Sequence, residues 1–438
     1  MRALLLYASL PLIVLIGLSR PFWGLLIYVA INVIRPEMLF WGGYTGNILF
    51  PVSIGSALLG FLFKGNRLFA PLSLRESWLL FWVWLAVTVS LVFTQIPLNP
   101  RAWYYAEELL KLFVVGWLIL ALVFESERIR QFEDTFLGAA SLLALWGCQQ
   151  HFHGNERLEG LGGYAFGDTN GVAAFGVLLF PLALHKLLTA RDRKQRLFGL
   201  VSTVLIGLMI VFTQSRGGLL GLGVGVAVLW WLTPKRKTMV IALSLVGLLI
   251  LPFIGQQYMS RVSTIAVDQE ERDLSAGSRL VLWRTGLLIF EDNPLFGVGL
   301  LNYDRAKMPY EYALTGKVDQ KLLDYSFQPR RVGHSTWICQ LLAEGGLFLT
   351  VPYLLLILGF FWGARRIRRT RPPDQNTRDL HNLLCGMLAG IFGYCVCLSF
   401  VNGLLDIFLP LQILVGMQVI RAIERESGNE LPRSAVQS

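Results

Sequence analysis

The chain has 438 residues, of which 54% are hydrophobic and only 16% charged, with 28 Phe, 13 Trp and a mean hydropathy of +0.54, against roughly 25% charged in an ordinary soluble domain. That composition excludes a water-soluble globular protein and describes an integral membrane protein. The net charge of +10 raises nucleic acid as a partner, but the positions of the charges, taken up below, exclude that partner.

Thirteen mostly apolar runs follow one another at 3–18, 22–33, 48–63, 77–93, 109–124, 132–146, 171–188, 198–212, 219–232, 239–254, 335–362, 383–401 and 404–423. Most approach the ~20 residues a helix needs to cross ~30 Å of hydrocarbon, and the alternation of a β-barrel is missing. The expected fold is all-α and polytopic. Lys and Arg in alternate short loops (64–75, 125–131, 186–196, 233–238, 364–380 and the tail from Arg421) number 22, whereas the opposite short loops hold three, Arg101, Arg157 and Arg216. This is the positive-inside asymmetry, so the basic loops and the C-terminus are expected in the cytoplasm. A C-terminus inside and the shortness of the first two runs suggest about twelve transmembrane helices. No small-residue cleavage site follows the first run, so that helix is expected to stay.

The domain reading is 1–254 as N-terminal transmembrane helices, 255–334 as a periplasmic loop domain with short helices, 335–423 as C-terminal transmembrane helices and 424–438 as a cytoplasmic tail. The segment 255–333 holds ten basic and ten acidic residues, enough polarity to fold in water. The five cysteines all fall in apolar runs and read as small buried hydrophobes. No metal-ligand spacing accompanies them, and His151-Phe-His153 lacks a third ligand, so no metal and no cofactor are expected.

In chain order, Trp103, Tyr104 and Tyr105 read as an interfacial aromatic belt. Phe166-Gly-Asp-Thr-Asn170 opens a helix, with Asp168 or Asn170 as its N-cap. Thr213-Gln-Ser-Arg-Gly-Gly218 is a tight turn in which glycines reverse the chain. Its Arg216 sits on the charge-poor side, where it either snorkels or grips a phosphate with its planar fork. Apolar residues at 280, 283, 287 and 290 mark a helix beginning near 276, whose face of Leu280, Trp283, Leu287 and Phe290 lies on the membrane or on other helices. Arg279 then falls in its first turn, against the helix dipole, a placement that makes sense if an anion binds there. Asn293-Pro-Leu-Phe-Gly-Val-Gly299 is a turn into irregular chain. Arg330-Arg-Val-Gly-His334 leads back into the membrane. The run 335–362 would be about 42 Å long as one helix, so it is expected to protrude or break at Gly345-Gly346.

These residues, in order, carry a resemblance. Asp168-Thr-Asn170, Ser215-Arg216-Gly217-Gly218, Ser278-Arg279 with Trp283, Asn293 to Gly299, and Gly333-His334-Ser335 with Glu344-Gly345 resemble the O-antigen ligase and polymerase superfamily. The opening, Arg20-Pro-Phe-Trp-Gly-Leu-Leu and Arg35-Pro-Glu-Met, resembles its O-glycosylation ligase branch from exosortase-bearing bacteria. His334-Ser335 departs from the His-Asn of many relatives.

The resemblance implies a GT-C-like, metal-independent glycosyltransferase in the inner membrane with its active site facing the periplasm. The donor would be a glycan on undecaprenyl diphosphate and the acceptor a hydroxyl, on a lipid A-core sugar for ligases. Arg216 and Arg279 would bind diphosphate and His334 would deprotonate the acceptor in a direct, inverting displacement. Asn170, Trp283, Arg330 and Arg331 would line the substrate. A polymerase with a second lipid-linked glycan as acceptor and a protein O-oligosaccharyltransferase are the enzyme alternatives. A transporter or flippase is the alternative of another class, against which stand the lack of a clear internal repeat and the gathering of unusual charges at one face.

Overall fold

The computed structural model describes residues 2–36, 48–64, 70–94, 96–161, 166–253, 269–328, 337–370, 372–400 and 407–428. All thirteen apolar runs are helices: α1 (Arg2–Ser19), α2 (Pro21–Ile34), α3 (Leu49–Lys64), α4 (Arg75–Phe93), α5 (Ala102–Leu122), α6 (Ser126–Phe152), α7 (Thr169–Thr189), α8 (Arg193–Thr213), α9 (Arg216–Leu232), α10 (Arg236–Ile250), α15 (Trp337–Ile367), α16 (Gln375–Leu398) and α17 (Phe408–Glu426). Between α10 and α15 lie α11 (Gln269–Asp292) and three short helices, α12 (Tyr303–Ala306), α13 (Tyr310–Leu314) and α14 (Gln320–Ser326). Apart from one bridge between Thr315 and Val318, the described residues hold no β-structure.

Six of the helices, α4, α7, α8, α10, α15 and α16, are long and apolar enough to cross a membrane, α10 together with the short turn that extends it to Phe253. The apolar stretches of α1, α2, α3 and α9 are shorter. The chain is a multi-pass membrane protein of helices.

The bundle is built around α7, which packs on α8, α9 and α16 and is 83% buried over its apolar window, against 17% for the peripheral α10. Small residues permit this. A Cβ on Gly390 would stand 2.0 Å from the Leu178 carbonyl oxygen of α7, and one on Gly221 of α9 would stand 2.3 Å from Cys397 Sγ and 2.6 Å from the Gly393 carbonyl oxygen of α16. Helices in lipid gain little from hydrophobicity against one another, so close backbone approach of this kind is what holds them. The glycine-rich start of α9 is thereby fixed against α7 and α16.

Two ends of the bundle differ in chemistry. At one, basic residues are tied down: Arg421 to Glu76, Lys186 to Asp134, Arg366 to Glu424, Lys235 Nζ to the Leu188 carbonyl at 2.8 Å and Arg425 to the Phe124 carbonyl. At the other, the loop after α4 docks on the segment after α11. Thr94 Oγ1 donates to the Val298 carbonyl at 2.6 Å, and Arg305 Nη1 donates to the carbonyls of Pro97 and Leu98 at 2.8 and 2.7 Å.

α11 differs from its expected form. It begins at Gln269, not near 276, because the sequence Gln-Glu-Glu-Arg-Asp-Leu contains no helix breaker. It buries Val281, Leu282, Thr285 and Ile289, while Leu280 and Leu287 are 61% and 45% exposed. Its partners are α15 and α14, so the domain is organised by one long helix rather than by short ones alone.

Candidate functional site at the helix N-termini

The local chemistry that positions Arg216 starts with capping. Asp168 accepts from the amides of Asn170 and Gly171 at 2.7 and 2.8 Å, opening α7. Ser215 accepts from the Gly218 amide at 3.0 Å, opening α9. The Ser215 hydroxyl in turn donates to Asn170 Oδ1 at 2.7 Å. Two helix N-termini, each with the positive end of a dipole, are thus fastened side by side at the first residue of α9, which is Arg216. Arg157 Nη2 adds a bond to Thr169 Oγ1 at 2.9 Å. Asn170 therefore has a positioning partner, and a direct substrate contact from it is a separate matter.

The reversal before Arg216 does not use the glycines. Gln214 takes the left-handed conformation, with φ 52°, whereas Gly217 and Gly218 lie inside the first turn of α9. There, Cβ atoms would meet Phe400 at 2.9 Å and Ala173 at 2.6 Å. The glycines are required for close approach, not for turning.

Arg279 is brought to the same place from α11. Since α11 starts at Gln269, Arg279 is in the helix interior, and the expectation that it sits in the first turn is corrected. Its guanidinium lies 5.0 Å from the centre of the Phe400 ring, the side chain that also packs on Gly217. Among the described residues neither Arg216 nor Arg279 forms an ion pair. Burial first, and then the charge of Arg216, pull the Arg279 guanidinium below its ordinary range. Two guanidiniums feel each other across this site and, among the described residues, neither is paired with a carboxylate, which costs free energy unless an anion fills the gap.

Trp283 stands one turn beyond Arg279 on α11, at the i, i+4 spacing that shares a helix flank. Its indole N–H is shut off from solvent and has no acceptor among the described residues, although buried Trp donors ordinarily find one. His334, Arg330 and Arg331 lie outside the described residues. His151 and His153 end α6: His151 stacks on Phe212 with ring centres 3.9 Å apart, and His153 Nδ1 is 2.8 Å from the Gln149 carbonyl. Among the described residues no group of three His, Cys, Asp or Glu side chains could hold a metal.

The break expected at Gly345-Gly346 is present, at Gly346, with φ 59° and ψ −160°. It explains the motif from Asn293 to Gly299. The amides of Leu347 and Phe348 donate to the carbonyls of Pro294 and Leu295 at 2.9 and 3.0 Å, and those of Val298 and Gly299 donate to the carbonyls of Ala343 and Glu344 at 2.9 and 3.0 Å. The buried Glu344 carboxylate accepts from the Tyr303 amide at 3.2 Å and from Gln340 Nε2 at 3.1 Å, and Ser90 Oγ donates to its carbonyl at 2.6 Å. This clamp sets the direction of the half-helix that follows residues 329–336.

Phe400, Ser90 and Gln340 were not legible as site residues. Phe400 falls at the end of an apolar run, and nothing local marks it as the platform beneath an arginine.

Residues 201–354 match the family described as O-antigen ligase. That match covers about a third of the chain. The matched span holds Arg216, Arg279, Trp283, the clamp and the position of His334, and leaves Asn170 outside. Residues 1–165 match a family of unknown function. The chain is also similar to an uncharacterized protein of Haemophilus influenzae, 28% identical over 145 residues, which is 30% of this chain and 35% of that protein. It thus spans about a third of the length of this curated relative.

Proposed function

We propose that the protein is a ligase-type glycosyltransferase that moves a glycan from undecaprenyl diphosphate to a hydroxyl of an acceptor, a lipid A-core sugar, at the periplasmic face of the bacterial inner membrane. The observation that carries the reading is the pair Arg216 and Arg279, two guanidiniums that form no ion pair among the described residues, beside two helix N-termini. A diphosphate carries the charge they lack, and each planar fork can bond two of its oxygens. The reaction is a displacement at the anomeric carbon. The acceptor oxygen forms the new bond, the bond to the diphosphate oxygen breaks with its electron pair, and His334 takes the hydroxyl proton. The arginines stabilise the charge that develops on the departing diphosphate, so no metal is called for. Arg330 and Arg331 flank the base and discourage a further positive charge on it. The unpartnered N–H of Trp283 is assigned to an oxygen of the sugar attached to the diphosphate. The frame for this chemistry is a GT-C-like arrangement of about twelve spanning helices, with 255–334 as the water-facing domain.

The test is Arg216→Lys and Arg279→Lys. A point charge cannot make two parallel bonds, so each variant is expected to lose at least about tenfold in turnover, the equivalent of one charge-assisted hydrogen bond, while still inserting and folding. Near-parental turnover in both would reduce the pair to interfacial anchors.

A further inference from the structure

A cavity lies far from the arginine pair, at the end of the bundle where the basic loops gather. It has a volume of about 780 Å³ and is formed where α1 meets α2, where α3 and α5 end and where α6 begins. α6 starts at the cavity, and near its other end the Leu158 amide bonds the Phe212 carbonyl, two residues before Gln214. With 27 residues in α6, the two sites are about 40 Å apart at ~1.5 Å per residue. All the residues that line it are within the N-terminal span that matches a family of unknown function.

Charges of both signs line it, and they are unequally satisfied. Arg128 is neutralised by Glu125 at 3.2 Å and sits between the rings of Phe22 and Phe124, 5.5 Å from each. Lys64 donates to the Ser19 carbonyl, a neutral partner, and forms no ion pair among the described residues. Among the described residues Arg20 makes no ion pair, and Glu127 makes none either but accepts from the neutral Gln131 amide at 3.0 Å. Trp23 stands at the mouth, 48% exposed. Scattered basic and aromatic residues at a membrane surface ordinarily point outward as an anchoring belt, whereas these converge on one hollow of the size ligands occupy.

We propose that this cavity binds the headgroup of a zwitterionic phospholipid, of the phosphoethanolamine type, from the leaflet on the basic-loop side. The phosphodiester meets Arg20 and Lys64, the primary ammonium meets Glu127, and Trp23 packs against the glycerol region. A purely anionic headgroup satisfies the cations and leaves Glu127 facing a like charge, so the mixed lining selects the zwitterion. The inference is independent of the glycan-transfer reading.

Native mass spectrometry of the full-length chain, supplied with equal amounts of phosphatidylethanolamine and phosphatidylglycerol of the same acyl chains, tests it. Phosphatidylethanolamine is expected to be retained preferentially, and Arg20→Ala and Glu127→Ala each to lower its retention about tenfold, the loss of one charge-assisted hydrogen bond. Arg20→Lys and Glu127→Asp, which keep the charge, are expected to retain more lipid than the alanine variants. These positions are exposed, so the variants should elute and melt with the parent. Equal or better retention of phosphatidylglycerol would overturn the assignment, as would alanine variants that hold lipid as the parent does. Displacement of the lipid by an equal concentration of soluble phosphoethanolamine would overturn the lipid as the source.

Discussion

The clamp at Gly346 makes a demanding prediction, because the cost of disturbing it can be worked from backbone geometry. Replacing Gly346 by Ala puts a Cβ 2.4 Å from the Leu295 carbonyl oxygen, 2.5 Å from its carbon and 2.7 Å from the Phe296 nitrogen. These are backbone atoms, which no rotamer change can move. The conformation at φ 59°, ψ −160° also belongs to the region open essentially to glycine, a strain of about 1–3 kcal/mol for an L-residue. Relieving the clash breaks the two bonds from Leu347 and Phe348 to the 294–295 segment, each worth about 0.5–1.5 kcal/mol net. The sum is on the order of 4 kcal/mol, a large share of the stability of an ordinary domain. Gly359→Ala in the same helix is the control, since a Cβ there meets nothing within 4 Å and removing a mid-helix glycine stabilises by roughly 0.5–1 kcal/mol. Thermal unfolding of the purified chain in detergent should separate the two variants widely, and glycan transfer by Gly346→Ala should fall, because the clamp orients the half-helix next to His334. A Gly346→Ala protein that melts and transfers like Gly359→Ala would refute the reasoning.

If His334 is the neutral base, His334→Ala should lower transfer by roughly 10² to 10⁴ with donor binding preserved. The parental rate should decline as pH falls, because protonation of the imidazole removes the acceptor lone pair. A well-folded His334→Ala chain working at the parental rate removes it from the mechanism. Trp283→Phe keeps the ring but deletes the donor, so it should weaken binding of the glycan-bearing lipid diphosphate several-fold, up to the 1–3 kcal/mol attached to an unpaired polar group. Binding of the glycan-free lipid diphosphate should be unchanged, and equal weakening of both would place Trp283 with the phosphate instead. Asp319→Cys, in the exposed cap of α14, should be labelled by a membrane-impermeant thiol reagent in intact spheroplasts, whereas labelling confined to lysed cells would invert the topology.

By itself the sequence determined the class of fold. Thirteen apolar runs are thirteen helices, since in hydrocarbon the backbone must satisfy its own hydrogen bonds and composition alone reports which stretches are in that medium. It also narrowed the cap of α7 to Asp168 or Asn170, of which the structure uses Asp168, and marked the break before Leu347, because capping and glycine conformations are local; the cap at Ser215 it read only as part of a turn. Arg216 was legible as an arginine among charge-poor loops, and Arg279 as a cation opposed to a helix dipole, an argument that rested on a helix start the structure moves. What tertiary structure alone decided is what these parts are for. The start of α11 moved to Gln269, which made Arg279 an interior residue and turned a different face, Val281 to Ile289, into the core. Gly217 and Gly218 proved to serve close packing against Phe400 and Ala173. The motif from Asn293 to Gly299 became intelligible only as the partner of Ala343 to Phe348, about fifty residues on in the chain. Periodicity and capping act within a few residues, whereas the convergence of two arginines, an unpartnered indole and a backbone clamp depends on contacts between helices, which no local pattern encodes.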